Sequence, residues 1–191
     1  AGWHHQSAVV AAGGYESGGD FIVAELSAAR HQLQMVLVDV CGHGATAVPA
    51  ALRFAGALQG LLPALAPADV LGAANGYLLR QPSDESIATA VQVEIDLDTG
   101  EYLIRSAGHP PALRWDSDQD TWLVDNARGT ALGVSEQPEI VESGGTLAVD
   151  DALLFYTDGV VESRSDDIDV GIAWLQETAR LAVLTSWDGA A

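Results

Sequence analysis

Two aspartates, Asp39 and Asp158, each follow an apolar run and precede a glycine turn: Met35-Val36-Leu37-Val38-Asp39-Val40-Cys41-Gly42-His43-Gly44 and Leu153-Leu154-Phe155-Tyr156-Thr157-Asp158-Gly159. A strand of that composition reads as buried on both faces. A carboxylate at its end loses much of its hydration and needs a cation, several hydrogen-bond donors or solvent. Taken singly, Asp39 reads equally well as a cap on the turn and helix that follow. Its recurrence at Asp158 shifts the reading, because two such strands lying side by side would converge two carboxylates on one point. Asp20, in Ser17-Gly18-Gly19-Asp20-Phe21, is a third candidate. Its paired glycines let the backbone approach a ligand closely, although Gly-Gly-Asp alone occurs in many turns.

Together these residues form an all-oxygen set, without the Cys or multiple-His spacing of zinc, and hard cations such as Mg²⁺ or Mn²⁺ suit it best. Two such ions can share a water, lower its pKa and present hydroxide in line to a phosphate ester. That is phosphoester hydrolysis without a protein nucleophile.

The elements that must position these acids are mostly strands. Strand-like patterning covers Ser7 to Ala12, Phe21 to Leu26, Leu33 to Val40, Ile87 to Ile95, Tyr102 to Ala107, Ala112 to Trp115 and Ala152 to Thr157. Asp96-Leu97-Asp98-Thr99-Gly100 is a polar turn that joins two of these runs into an antiparallel hairpin, which argues against a doubly wound parallel sheet. Trp115 to Asn126 reads as a loop or an exposed hairpin. Helical patterning covers Ala45 to Leu62, Pro67 to Arg80 and Val170 to Leu184. The first of these is apolar almost all round, and its small residues suggest close burial against a sheet or a second helix. Sheets with helices packed on their outer faces follow.

Four ordered segments then carry a resemblance: Gly18-Gly19-Asp20-Phe21, Asp39-Val40-Cys41-Gly42-His43-Gly44, Ala107-Gly108-His109-Pro110-Pro111 and Tyr156-Thr157-Asp158-Gly159. Their order and intervals resemble the motif series of SpoIIE-type serine/threonine phosphatases of the protein phosphatase 2C-like (PPM) superfamily, over about Val9 to Leu184. The resemblance implies an α+β fold, a four-layer α/β/β/α sandwich, with a binuclear Mn²⁺ or Mg²⁺ site at one edge of two mainly antiparallel sheets. By motif position Asp39 would bridge both metals and orient the metal-bound water. Val40 would offer its backbone carbonyl, Asp20 would reach a metal directly or through water, and Asp158 would hold the other side. The substrate implied is a phosphoserine or phosphothreonine protein, typically an anti-sigma-factor antagonist in a partner-switching pathway.

Two departures qualify the resemblance. Many relatives carry another Asp three residues after the position of Asp20, where this chain has Val23. The family also ends with an Asp-Asp pair leading into an apolar strand, whereas this chain ends Ser186-Trp187-Asp188-Gly189-Ala190-Ala191. Asp188 is no convincing substitute. The expectation is one domain over residues 1–191, part of a longer protein and lacking the last family motif, with one metal held weakly.

Composition bounds the partners. The formal charge of −19, from 8 basic and 27 acidic residues, repels nucleic acid and anionic lipid and leaves a protein, small molecule or metal as partner. One cysteine, Cys41, excludes an internal disulfide and agrees with a reducing, cytoplasmic setting. No apolar run is long enough to span a membrane.

The remaining candidates have plainer readings. Cys41 is followed by Gly-His-Gly-Ala-Thr-Ala rather than by the arginine a cysteine phosphatase requires. His43 and His109 are conceivable general acids, but Gly-His-Pro-Pro after a strand reads better as an exit turn with its imidazole bonded to backbone. His4 and His5 would face opposite sides of a strand. Asp166, Asp167 and Asp169 read as solvated surface. Two alternatives to a phosphatase remain: a pseudophosphatase acting as a regulatory binding module, and a two-metal nucleotidyl cyclase, which the scarcity of basic residues disfavours.

Overall fold

Alternation of apolar residues in the strands decides the layers. The computed structural model of this chain describes residues 2–8, 19–42, 47–81, 87–162 and 167–185. In chain order these hold β1 (Asp20–Ser27), β2 (Gln32–Val40), α1 (Ala47–Leu61), α2 (Pro67–Leu79), β3 (Ala88–Asp96), β4 (Glu101–Ala107), β5 (Leu113–Asp116), β6 (Thr121–Val124), β7 (Val141–Thr146), β8 (Ala152–Leu154) and α3 (Ile168–Thr185). One antiparallel sheet has the order β1-β2-β3-β4-β7 and the other β6-β5-β8.

Along β2, Val36, Val38 and Val40 point to one side and pack with Phe54 and Leu58 of α1 and Val70 and Leu71 of α2. Met35 and Leu37 point to the other side, where they meet Val91, Val93 and Ile104 together with Leu153 of the second sheet and Phe155 just beyond it. The outer face of the second sheet packs Leu113, Trp115 and Trp122 against Ile172 and Ala179 of α3. The layers are therefore helices, sheet, sheet, helix, the α+β sandwich expected. With both faces covered, β2 reads as a continuous apolar run rather than an alternating one.

Several expectations are corrected in detail. The segment ending at Asp158 pairs as a strand only over Ala152–Leu154, and Asp158 opens a 3₁₀ turn, Asp158–Val160. β2 and β8 belong to different sheets, so they do not lie side by side. Trp115 to Asn126 resolves into a hairpin of β5 and β6, closed by Asp116, which accepts from the Asp118 and Gln119 amides. β7 went unread because Val-Glu-Ser-Gly-Gly-Thr has no apolar alternation; Gly144 and Gly145 let it lie close against Leu103 and Tyr102. The first helix is not buried all round: Ala47, Ala51, Phe54 and Leu58 face inward while Leu52 is 68% exposed. Ser7 and Ala8 form no strand, and the rest of that expected strand lies outside the described residues.

Gly171 in α3 explains how that helix meets the segment after Asp158. A Cβ there would overlap the Val161 carbonyl, whereas at exposed Gly72 in α2 nothing lies within reach. Gly72→Ala should therefore gain up to about 1 kcal/mol, the ordinary helix-propensity effect. Gly171→Ala should lose about 1–3 kcal/mol through overpacking. Denaturant midpoints of the two variants give opposite signs if this packing is right.

Candidate active site

β1 and β2 run antiparallel with Asp20 opposite Asp39, and β3 places Thr89 opposite Asp39 on its other side. All three lie on the face turned toward the second sheet, because alternation puts Asp39 on the same side as Leu37 and Met35. Asp158 comes from the facing layer, where the chain leaves β8. The Thr157 hydroxyl donates to Asp20 Oδ2 at 2.8 Å and ties that segment to β1. The carboxylates thus meet across the cleft between the sheets, at the edge where β2 ends.

Asp39 and Asp158 are half-buried and Asp20 is exposed. Burial first, then the charges of Asp20 and Asp158 and close carboxyl hydrogen bonds with both, push Asp39 up to about 7. Among the described residues no cationic side chain offsets these charges. The acids approach pairwise through Asp39; among the described residues no three His, Cys, Asp or Glu side chains close into a ready cage. Hard oxygen donors whose mutual repulsion is uncompensated are what a divalent cation would relieve, and Mg²⁺ in particular needs few protein ligands because it keeps several waters.

Val40 is buried, and its carbonyl lies against Gly19: a Cβ at position 19 would overlap that oxygen. Glycine at this position is what lets the strand carrying Asp20 come beside the carbonyl. Val23 is buried at 4% exposure in the core beneath α1, on the opposite face from Asp20. The Cys41 thiol is pushed up by burial and by Asp39 and Asp158, which keeps it protonated and unsuited to nucleophilic attack.

His109 is 2% exposed. Its Nε2 lies 2.9 Å from the Tyr156 carbonyl, which can only accept, so Nε2–H donates. Nδ1 is then bare and accepts the Thr89 hydroxyl at 2.9 Å. Burial lowers His109 to about 4, so it is neutral at pH 7 and its ring is occupied at both nitrogens. The exit-turn reading holds for this residue. His43 and Asp188 lie outside the described residues, as does Asp166. Asp167 starts α3, accepting the Asp169 amide at 3.4 Å on its side chain, while His4 and His5 sit exposed outside any strand.

A depressed histidine pKa means that the unfolded chain takes up a proton at a pH where the folded chain does not. The stability contributed by neutral His109 is complete above its ordinary value of 6.5 and is lost as pH falls through about 4. The loss should reach the order of 3 kcal/mol. His109→Gln, which takes no proton, should remove that component from the pH dependence of urea unfolding.

Reasoning along the sequence did not single out Thr157 or Thr89. No local pattern marks either one, since each acts through a bond between distant parts of the chain.

The family described as Stage II sporulation protein E (SpoIIE) matches residues 29–190. The chain belongs to the SpoIIE family. It is 31% identical over 138 residues to the phosphoserine phosphatase RsbP of Bacillus subtilis, covering 70% of this chain and 34% of RsbP. It is 24% identical over 142 residues to the phosphoserine phosphatase RsbU of the same organism, covering 72% of this chain and 42% of RsbU. The SpoIIE-type chain thus spans between about a third and about two-fifths of the length of these relatives. Among solved structures, the RsbU and RsbW domains of Rv1364c from Mycobacterium tuberculosis superpose with a TM-score of 0.77 at 26% identity, over 91% of this chain and 49% of that one. The two Bacillus relatives are named as phosphatases, not cyclases. None of this chain's described helices is long and apolar enough to cross a membrane.

Proposed function

We propose that this chain is a Mn²⁺- or Mg²⁺-dependent phosphoprotein phosphatase acting on phosphoserine or phosphothreonine. The cation would be held by the carboxylates of Asp20, Asp39 and Asp158 with the Val40 carbonyl. The observation that carries this reading is the meeting of Asp39 with Asp20 and Asp158 across the inter-sheet cleft, with no cationic side chain among the described residues to balance them. When bound, divalent ions supply Lewis-acid activation of water and neutralise charge on the phosphoryl group. Two ions are proposed, following the motif pattern of the family.

The residues themselves divide the work. Asp39, central in the cluster, would orient the attacking water, acting in its charged form beside a cation. Thr157 steadies Asp20 by its hydrogen bond at 2.8 Å. Gly42, with φ of +136°, bends the chain just after Val40 and Cys41 in a conformation that favours glycine.

The substrate class proposed is a phosphorylated anti-sigma-factor antagonist in a partner-switching pathway. The two Bacillus relatives are named phosphoserine phosphatases, which supports phosphoserine. The charge of −19 favours a partner presenting a basic patch.

Phosphate release from a phosphoserine protein, measured with Mn²⁺, with Mg²⁺ and with chelator, tests the proposal. Release that requires the metal supports it, and equal release in chelator would sink it. A second reading, a regulatory module that keeps the fold without efficient chemistry, is favoured by the acids' failure to close into a cage among the described residues. It predicts no heat of Mn²⁺ binding in calorimetry.

A further inference from the structure

The segment carrying Asp158 has few ties to the sheet that carries Asp39. Among the described residues β8 pairs only with β5 and ends at Leu154, and no strand pairing joins residues 155–158 to the five-stranded sheet. Among those residues two side-chain hydrogen bonds cross instead: Thr157 to Asp20, and His109 to the Tyr156 carbonyl. The first is exposed and uses a carboxylate oxygen that a cation would compete for. The second is buried and independent of the acids.

His109 is itself held on both sides. Thr89, to which its Nδ1 is bound, is the cross-strand neighbour of Asp39. Gly108, at φ of +72°, bridges to Ala90 of β3 and donates its amide to Arg128 O at 2.6 Å. A Cβ at position 108 would stand 2.7 Å from the Ala131 amide nitrogen, so glycine fixes the backbone from which the imidazole enters. Pro110 and Pro111 follow and restrict the exit. The path Asp39, Thr89, His109, Tyr156 therefore runs through one cross-strand pair and two hydrogen bonds of 2.9 Å, and ends two residues before Asp158.

We infer that His109 is a positioning residue: by clamping the Tyr156 carbonyl to β3 through Thr89, it sets the spacing of Asp158 from Asp39 on which cation binding depends. This rests on the metal-site reading above. Its function is separate from proton transfer, since both ring nitrogens are already engaged.

The test uses the 191-residue chain and two substitutions that divide the ring. His109→Gln places an amide near Nε2 and keeps a donor for Tyr156, whereas His109→Asn reaches only as far as Nδ1 and loses it. The first readout is amide hydrogen exchange in metal-free protein, where Val161 and Glu162 donate to the Asp158 carbonyl. In His109→Asn these two amides should exchange about tenfold faster while those of β2 and β3 hold, the pattern of a local opening. The second readout is Mn²⁺ affinity by calorimetry, which should fall by about 10–100-fold in His109→Asn, as for other residues that orient metal ligands. His109→Gln, which keeps the donor for Tyr156 but not the acceptor for Thr89, should show only a weak effect in both, like that of Thr89→Val. Thr89→Val, which removes only the bond to Nδ1, should show the same local pattern more weakly, and it serves if His109→Asn does not fold.

Uniform acceleration across all strands would reduce His109 to a stabilising core residue. Unchanged exchange and affinity in His109→Asn, or a Gln variant as impaired as the Asn one, would also overturn the inference. If the parent chain shows no Mn²⁺ binding, the metal reading fails, and the exchange experiment still decides the clamp.

Discussion

Asp39→Asn is expected to lower metal-dependent phosphate release by about a thousandfold, equivalent to roughly 4 kcal/mol of lost transition-state stabilisation. Asparagine keeps the shape of the side chain but cannot neutralise a cation, so the loss should appear in kcat/KM without a change in far-ultraviolet dichroism. The same substitution should make the metal-free protein more stable above pH 7. It removes a charge that burial and two neighbouring carboxylates oppose. Loss of activity together with gained stability marks a residue selected for function rather than for folding. A variant that lost activity only because it unfolded would show the reverse.

Mn²⁺ should raise the thermal midpoint by roughly 5–10 °C at a hundredfold excess over its dissociation constant, from about 2.7 kcal/mol of linkage spread over a chain of this size. Without metal, the pH dependence runs the other way from that of most paired carboxylates. Asp39 keeps its proton in the folded state up to about 7, while the unfolded chain releases it near 3.8. The folded state therefore binds more protons across that window, and the stability of metal-free protein falls as pH rises through it. Saturating Mn²⁺ should abolish that slope, because an ion at the site favours the charged form of Asp39. Thermal scans between pH 5 and pH 8, with and without metal, measure both effects. Asp39→Asn should flatten the metal-free slope and remove the Mn²⁺ shift.

The acids were legible from their settings. Asp39 and Asp158 stand at the ends of apolar runs, and Asp20 follows a glycine pair whose second member is needed against the Val40 carbonyl. Their meeting was not legible in its actual form. An apolar run announces a buried strand but not its sheet, and Asp158 reaches Asp39 from the opposing layer rather than from a neighbouring strand. For the same reason Thr157, bonded to a residue 137 positions away, and Thr89, bonded to His109, could not be singled out. β7 escaped because it lies at the edge of its sheet and packs glycines instead of alternating side chains, so its place is dictated by β4. The core strands and all three helices were read within a few residues, since their periodicity is what buries them.

The most direct test of the site is anomalous scattering from crystals of this chain soaked in Mn²⁺. A manganese peak is expected in the cleft between the two sheets, within ligand distance of the Asp39 carboxylate and shared with Asp20 or Asp158. A well-ordered cleft with no manganese beside Asp39, in protein that nonetheless releases phosphate, would contradict the metal-site reading.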